Sequence, residues 1–313
     1  MTMRSNTPVI PGYKVSEQLY AGSKSVVYRA IRERDSIQVV IKLLASEYPS
    51  FNELLQFRNQ YIISKNLNLN GIIRPLSLEV YENGYILVME DTGGVSLREY
   101  IKTNTLSLVE FLTLAIQLTD ILQGLQHNRV IHKDIKPANI LIHPETKQVQ
   151  LIDFSIASLL PRETQEIKSP NVLEGTLAYI SPEQTGRMNR GIDYRSDFYS
   201  LGVTFYELLT GELPFISNDP MELVHCHIAQ LPACVSDVTE IPQVISKMII
   251  KLMAKNAEDR YQSALGLKHD LENCLCQLKN TGEITYFEIG TQDLCELFLI
   301  PEKLYGREAE VKG

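Results

Sequence analysis

The first 90 residues alternate apolar and polar positions over short runs, which is the pattern of half-buried β-strands. Strands are predicted in five runs: 13–15, 25–30, 37–44, 76–81 and 85–89. The connection between the last two runs contains Asn83-Gly84, a strong signal for a hairpin. Apolar residues at helical spacing predict a single helix over Phe51–Leu67. We therefore expect a small antiparallel sheet with one helix.

The remainder of the chain has the longer apolar spacing of helices. Apolar residues between 111 and 125 fall on one face and predict a long buried helix. A second strongly apolar helix is predicted over 194–211, where Gly211 provides a stop. Two further helices are predicted at 243–253 and 263–278. The sequence thus predicts an α+β chain with a β-rich lobe followed by a larger, mainly helical lobe.

Composition and charge exclude several classes of function. The 313 residues include 30 Lys and Arg against 38 Asp and Glu, which gives a formal net charge of −8. An acidic chain is poorly suited to electrostatic binding of nucleic acid or of an anionic membrane. No run approaches the roughly 18 apolar residues of a membrane span, and residues 1–12 lack the apolar core of a signal peptide. We expect a soluble, cytoplasmic protein without a nucleic-acid partner.

The five cysteines are irregularly spaced and form no Cys-x-x-Cys pair. Neither a disulfide framework nor a zinc ribbon is predicted, and a chain of this length buries enough core without them. His225, Cys226 and His227 with Cys234 are an alternative metal cluster, but the spacing of a four-ligand structural zinc site is missing.

The most informative segment is 131–139, which follows the long predicted helix and precedes an apolar strand. It places Asp134, Lys136 and Asn139 within six positions, and a second apolar strand then leads into Asp153. Phosphoryl transfer needs a carboxylate to orient a hydroxyl, oxygen ligands for Mg²⁺ and a cation for the migrating charge. This set of residue types suits that reaction.

These segments resemble the eukaryotic-type Ser/Thr protein kinases of bacteria, and the resemblance covers about residues 13–279. The His-Arg-Asp loop of that family corresponds to His132–Asp134, its Asp-Phe-Gly to Asp153–Ser155, and its Ala-Pro-Glu to Ser181–Glu183. The family's Val-Ala-Ile-Lys strand corresponds to Val39–Lys42. The resemblance implies a bilobal kinase fold with an N-lobe at about 13–90 and a C-lobe at about 93–279.

The resemblance also implies roles for individual residues. Asp134 would be the catalytic base and Lys136 the contact to the γ-phosphate, while Asn139 and Asp153 would bind Mg²⁺ or Mn²⁺. The implied ATP-binding residues are Gly22, Ser25, Val27, Lys42, Gln60, Glu90 and Thr92. The implied structural or regulatory residues are Glu183 and its partner Arg260, Asp197 beneath the catalytic loop, and Thr164, Ser169 and Thr176 of the activation segment. Thr164 or Ser169 is either an autophosphorylation site or a solvated loop hydroxyl.

Three departures from the family pattern point to weaker activity. The glycine-rich loop keeps only Gly22, although glycines there let the backbone approach phosphate closely. The helix position that pairs a Glu with Lys42 is Gln60, which can accept a hydrogen bond but carries no charge; Glu53, two turns earlier, is a weaker substitute. Lys133 replaces the arginine that clamps a phosphorylated activation loop, so a bidentate contact is lost.

The ends of the chain complete the predicted organisation. Residues 1–12 are expected to be an extension and 280–300 a linker, because the apolar pattern weakens after Asn280. Residues 301–313 resemble the start of an AAA-type signalling ATPase domain, as in large cyanobacterial sensor proteins, where further C-terminal signalling domains follow a kinase. A disordered tail is the alternative for this segment.

The function implied is ATP-dependent phosphorylation of Ser or Thr in a protein substrate during bacterial signalling. An alternative is a weak or inactive pseudokinase that binds nucleotide and regulates attached domains. Phosphorylation of a small molecule is a third hypothesis, disfavoured by the retained peptide-platform segment 175–183.

Overall fold

In a computed structural model, the residues described are 8–159, 175–188 and 190–294, and they form two lobes. The N-terminal lobe is built on an antiparallel sheet in the order β1-β2-β3-β5-β4. Its strands are β1 (Tyr13–Ala21), β2 (Ser25–Arg32), β3 (Ile37–Leu44), β4 (Pro75–Tyr81) and β5 (Gly84–Glu90). Each run predicted from the alternating pattern lies inside one of these strands. The inward side chains form a separate apolar core that includes Tyr28, Ala30, Val39, Ile41, Leu43, Ile86 and Val88.

The hairpin between β4 and β5 is present, but it turns one residue earlier than Asn83-Gly84 implies. Tyr81 pairs with Gly84, so the two loop residues are Glu82 and Asn83, and Gly84 already belongs to β5. Glu82 has a φ of 50°, in the left-handed region that the first residue of a two-residue hairpin turn requires.

The one helix of this lobe, α1 (Phe51–Asn66), begins at a capping box and matches the predicted span within one residue. The Ser50 hydroxyl accepts the Glu53 N–H at 3.3 Å, and the Glu53 carboxylate accepts the Ser50 N–H at 2.8 Å. Positions three and four apart lie on one helical face. The buried positions of that face are Phe57, Gln60, Ile63 and Ser64.

The described part of the C-terminal lobe is mainly helical, as predicted. Its helices are α2 (Leu97–Thr103), α3 (Leu108–His127), α4 (Arg195–Thr210), α5 (Pro220–Ala229), α6 (Val235–Val238), α7 (Gln243–Leu252) and α8 (Ala264–Thr281). Helix α4 ends at Gly211, which adopts a φ of 77° at the predicted stop. A Cβ at Gly202 would lie 2.8 Å from the Leu252 Cβ, so this glycine allows α4 and α7 to approach closely.

Helix α3 is long and apolar enough to cross a membrane by length and composition alone. Nine of its residues, among them Phe111, Leu118 and Leu125, are buried in the core of the C-terminal lobe. A buried core helix meets the same criteria of length and composition as a membrane span, so these two properties of α3 are weak evidence for a membrane span.

Short strands position two loops at the junction of the lobes. These strands are β6 (Val95–Ser96), β7 (Val130–Ile131), β8 (Ile140–Ile142), β9 (Val149–Leu151) and β10 (Ser158–Leu159). They form the sheets β6-β8-β9 and β7-β10. The loop 132–139 therefore runs from β7 to β8, and the loop 152–157 from β9 to β10. Because β8 pairs with β9 and β7 with β10, the two loops lie side by side.

The segment expected to be a linker, 280–300, begins inside α8, and its described part packs on the C-terminal lobe. Half-buried apolar residues contact the core: Ile284, Phe287 and Ile289. The Asp293 carboxylate accepts the backbone N–H groups of Gln262 and Ser263, each at 2.9 Å. A Cβ at Gly266 would lie 2.6 Å from the Asp293 Cα, so glycine is needed for this approach. The lobe thus continues at least to residue 294.

Candidate active site

The loop 132–139 is fixed from beneath by Asp197, in the first turn of α4. The Asp197 carboxylate accepts the backbone N–H groups of His132 and Lys133, both at 2.8 Å. The His132 ring is fully buried, with its Nε2 3.0 Å from the Ile152 carbonyl oxygen. Burial raises the pKa of Asp197, although the neighbouring His132 and Lys133 favour its charged form. Asp197 therefore holds the backbone of this loop in one conformation.

Asp134 lies at the centre of a hydrogen-bonded cluster. Its Oδ2 accepts Lys136 Nζ at 2.5 Å and Asn139 Nδ2 at 2.8 Å. Its Oδ1 accepts the backbone N–H of Thr176 at 3.0 Å and the Thr176 hydroxyl at 2.8 Å. Lys136 also donates to the Thr176 hydroxyl oxygen. Three other residues singled out in the sequence, from two separate segments, thus meet around the Asp134 carboxylate.

A second cluster joins the N-terminal sheet, α1 and the loop after β9. Lys42 on β3 donates to Gln60 Oε1 at 2.8 Å and to Asp153 Oδ1 at 2.9 Å. Burial raises the pKa of Asp153, but the charge and hydrogen bond of Lys42 outweigh it and lower the pKa to about 2. Asp153 is therefore an anion at neutral pH. Its φ of 67° lies in the left-handed region, a strained conformation for a residue with a side chain.

The side-chain oxygens of Asn139 and Asp153 suit a divalent cation that prefers oxygen ligands. Asn139 Nδ2 is engaged by the Asp134 carbonyl at 2.8 Å, which leaves the amide oxygen of Asn139 as an acceptor. The Ile152 N–H donates to the Asn139 carbonyl at 2.9 Å, so Asn139 and ionised Asp153 sit on adjoining segments. In the described chain no group of three or more His, Cys, Asp or Glu could hold a metal. Phosphate oxygens and water would supply the remaining ligands here, and the His225–Cys234 alternative gains no support.

The loop between β1 and β2 is a tight turn that contains one glycine, Gly22. The Gly22 N–H donates to the Ser25 carbonyl at 2.9 Å, and the Ala45 N–H donates to the Lys24 carbonyl at 3.0 Å. A Cβ at Gly22 would lie 2.7 Å from the Tyr20 Cζ, because the Tyr20 ring folds over this position. Tyr20, which stands where the family has another glycine, thus covers Gly22 with its ring.

The segment between the lobes carries the two residues expected near adenine. The Glu90 N–H donates to the Arg74 carbonyl at 3.2 Å, so that N–H is not the group that would meet a base. The Thr92 hydroxyl donates to Gln150 Oε1 at 2.6 Å. Between them, the Asp91 carboxylate accepts Arg29 Nε of β2 at 2.6 Å. The connection is therefore tied to both lobes by side chains.

Glu183 and Arg260 form a buried ion pair with both carboxylate oxygens engaged. The distances are 2.7 Å from Arg260 Nη1 to Glu183 Oε1 and 2.8 Å from Nη2 to Oε2. The Ser196 hydroxyl adds a third hydrogen bond to Oε1 at 2.6 Å. Burial raises the pKa of Glu183, but Arg260 outweighs it and the pKa lies below its ordinary value. This pair anchors the segment that carries Thr176.

Residues 13–271 match the family model of the protein kinase domain. The chain belongs to the protein kinase family. Serine/threonine-protein kinase PknB of Mycobacterium leprae is 33% identical, with 83% of this chain and 42% of that protein covered. A probable serine/threonine-protein kinase of Clostridium acetobutylicum is 28% identical, covering 87% and 41%. Hybrid signal transduction histidine kinase G of Dictyostelium discoideum is 32% identical, covering 65% and 8%. The chain spans less than half the length of these relatives.

With the family shown, the bilobal kinase fold implied by the sequence is confirmed for the chain. Within this kinase domain, Gln60 occupies the predicted place beside Lys42, whereas Glu53 does not approach it, because its carboxylate caps the start of α1. The sites Thr164 and Ser169 lie outside the described residues, as does the tail 301–313.

Sequence motifs missed one residue of the kinase site, Asn59 on α1. Its Nδ2 donates to the carbonyl oxygens of Ser155 and Ala157, at 3.2 and 2.9 Å. No signal in the sequence marks Asn59, because the carbonyls that it contacts belong to a segment 96 residues away and carry no side-chain identity.

Proposed function

We propose that the protein transfers the γ-phosphoryl group of ATP to a Ser or Thr hydroxyl of a protein substrate. The single observation that carries this proposal is the cluster in which Lys136, Asn139 and Thr176 fix both oxygens of Asp134. A carboxylate fixed in this way can orient an acceptor hydroxyl and take its proton. The serine/threonine kinases among the relatives support the choice of acceptor.

In the proposed reaction, the acceptor oxygen forms a bond to the γ-phosphorus while its proton passes to Asp134. The bond from the γ-phosphorus to the β–γ bridging oxygen breaks, and ADP leaves. Lys136, adjacent to Asp134 at 2.5 Å, is placed to balance the charge that develops on the transferred group. Thr176 holds Asp134 from the activation segment, which couples the position of the base to the substrate side of the cleft.

We further propose that ATP lies beneath the turn formed by Gly22 and Ser25, next to Val27 on β2. Lys42 would contact its α- and β-phosphates, and the connection at Glu90 and Thr92 would face adenine. Protein kinases use a divalent metal with ATP, and we propose Mg²⁺ or Mn²⁺ held by Asn139 and Asp153. The metal would neutralise phosphate charge, while this chain supplies one anionic and one neutral oxygen ligand.

The departures from the family pattern do not favour a pseudokinase. Gln60 does contact Lys42, at 2.8 Å, so the lysine has a helix partner even without a carboxylate. The altered loop retains its middle glycine, Gly22, and still forms a tight turn. Because the chain spans less than half the length of these relatives, we propose that the domain acts within a larger signalling protein; the hybrid signal transduction histidine kinase supports this context. We also propose a cytoplasmic location.

The test is phosphoryl transfer from γ-labelled ATP to a generic Ser/Thr protein substrate with Mg²⁺ present. We expect Asp134→Asn to lower kcat at least ~100-fold, since general-base catalysis contributes about that much. Lys42→Ala should lower kcat/KM for ATP, because the cation beside Asp153 is removed. Asn83→Ala, on the exposed β4–β5 turn, is the control and should leave the rate unchanged.

Two outcomes would contradict the proposal. One is a rate that is the same in the wild-type protein and in Asp134→Asn. The other is absence of label transfer from wild-type protein that binds ATP·Mg²⁺, which would favour the regulatory role. Replacing Mg²⁺ with Mn²⁺ in the same assay identifies the metal.

A further inference from the structure

Helix α1 reaches the active site without an ion pair to Lys42. The acidic partner of Lys42 is Asp153, at 2.9 Å, and from α1 it receives only the neutral oxygen of Gln60. A neutral hydrogen-bond partner stabilises a cation less than a carboxylate does. A second polar contact from α1 to the segment that carries Asp153 would add to the weak link made by Gln60.

Asn59, the neighbour of Gln60 on α1, makes such a contact to the segment that follows Asp153. Its side-chain amide donates to two backbone carbonyls, those of Ser155 at 3.2 Å and Ala157 at 2.9 Å. Both carbonyls follow Asp153 in the chain, and Asn59 is half-buried. A single side chain thus cross-links α1 to the segment whose first residue is the proposed metal ligand.

The first of these two carbonyls belongs to Ser155, at a position where kinases of this family have glycine. Asp153 alone takes the left-handed conformation, with a φ of 67°, and Ser155 lies outside that region. Serine therefore fits without strain, and it restricts the other conformations that glycine would permit.

We propose that Asn59 and Ser155 form a latch that replaces the missing carboxylate between α1 and Lys42. The latch is defined by the Asn59 amide and the carbonyls of Ser155 and Ala157. It holds α1 docked and fixes Asp153 beside Lys42, so both are positioning residues rather than groups that touch substrate. Its role in catalysis rests on the proposed function; its role in docking α1 does not.

The latch has a consequence for regulation of the domain. Its contacts need no phosphate and no added charge, because they are hydrogen bonds from the neutral Asn59 amide to two backbone carbonyls. Helix α1 is therefore docked before nucleotide binds. The Lys42–Asp153 geometry should accordingly be present in the free protein, independent of phosphorylation of the activation segment.

The first test compares Asn59→Ala with Asn83→Ala, an asparagine of the same lobe that also donates to one backbone carbonyl, that of Glu47. Kinetics give kcat and KM for ATP, and hydrogen–deuterium exchange follows peptides covering α1 and residues 152–159. Asn59→Ala should lower kcat/KM for ATP roughly 10-fold, the factor expected when one or two neutral hydrogen bonds are lost. Exchange should become faster in both peptides, and Asn83→Ala should change neither measurement.

Rescue separates positioning from general destabilisation. Gln60→Glu places a carboxylate beside Lys42, so it should recover most of the lost kcat/KM in the Asn59→Ala background and add less to the wild-type protein. Ser155→Gly should raise the metal concentration needed for half-maximal rate, because the segment that carries Asp153 gains backbone freedom. Asn59→Asp should behave like Asn59→Ala, since a carboxylate cannot donate to carbonyls.

The outcomes distinguish the latch from the proposed activity. If Asn59→Ala matches Asn83→Ala in both exchange and kcat/KM, the latch is overturned. If Gln60→Glu fails to recover activity in the Asn59→Ala background, the proposal that the latch replaces the missing ion pair to Lys42 is overturned. If the wild-type protein transfers no phosphate but Asn59→Ala still accelerates exchange, the latch stands and the proposed activity fails.

Discussion

The carboxylate of Glu183 is 2% exposed yet charged, because Arg260 meets it with two parallel hydrogen bonds. The same guanidinium also donates to the backbone carbonyls of Ala254 and Arg195, at 2.8 Å each. Both charges are thus compensated within one group of contacts. Removing one partner of a buried pair leaves the other uncompensated, which costs about 3–5 kcal/mol.

Arg260→Lys should lower the free energy of unfolding by about 3 kcal/mol, since a lysine cannot reproduce the fork or reach both carbonyls. Arg190→Lys is the matched control, because Arg190 pairs with the exposed Glu258. That surface change should cost less than about 1 kcal/mol. Urea unfolding followed by circular dichroism measures both. Equal losses in the two variants would contradict the structural role given to Arg260.

Among the elements, helix α8 depends on a residue that follows it in the chain. Ser263 caps the helix by accepting the Gly266 N–H at 3.0 Å, and Asp293 accepts the Ser263 and Gln262 N–H groups and the Ser263 hydroxyl. The carboxylate therefore pairs the backbone N–H groups of the N-cap residue and of the residue before it, beside the positive end of the helix dipole. Gln262 in turn contacts Arg195, on the helix that holds Asp197.

Asp293→Ala should lower the unfolding free energy by about 1–2 kcal/mol, the usual cost of losing a helix cap. Asp293→Asn, which keeps one acceptor oxygen, should lose less than the alanine variant. A chain ending at residue 281 should be destabilised at least as much as Asp293→Ala. If the truncated chain has the same thermal midpoint as the longer one, residues 282–294 are a linker, as the sequence indicates, and not part of the lobe.

For the whole molecule, the stability should depend on pH through His227 of α5, which is fully buried between α4 and residues 177–178. Its Nδ1 lies 3.0 Å from the Tyr199 hydroxyl. Burial, and then the charge of Lys255, lower the pKa of His227 to about 4, although the Leu177 and Ala178 carbonyls oppose this. The unfolded chain, with a pKa near 6.5, therefore binds a proton more readily than the folded protein.

The contribution of His227 is fully present above pH ~6.5 and is lost as the pH falls toward 4, because the unfolded state binds more protons in that window. Between pH 7 and 5 the wild-type protein should lose about 2 kcal/mol from this group. His227→Asn, which keeps an acceptor for Tyr199, should remove that slope even if it lowers stability at both pH values. The exposed His225→Asn is the control. An unchanged slope in His227→Asn would contradict the assignment.

Local and motif-based features were predictable from the sequence because they depend on neighbours in the chain. The five strand runs predicted from alternation in the first 90 residues all lie within observed strands, and the predicted helix matches α1 within one residue. The hairpin register was off by one, since Glu82 can adopt the positive φ that the Asn-Gly rule assigns to Asn. The spacing of Asp134, Lys136, Asn139 and Asp153 pointed to phosphoryl transfer before any contact was known.

The sequence by itself determined the N-terminal strands, four of the helices of the C-terminal lobe and the family, and it singled out the residues around Asp134. Only the tertiary structure decided which partner balances Lys42, how Asn59 meets the Ser155 carbonyl 96 residues away, and that residues 282–294 pack on the lobe. The physical reason is that a strand or helix follows from the periodicity of nearby side chains. A contact to a backbone carbonyl, in contrast, exists only after the chain has folded and leaves no mark in residue type.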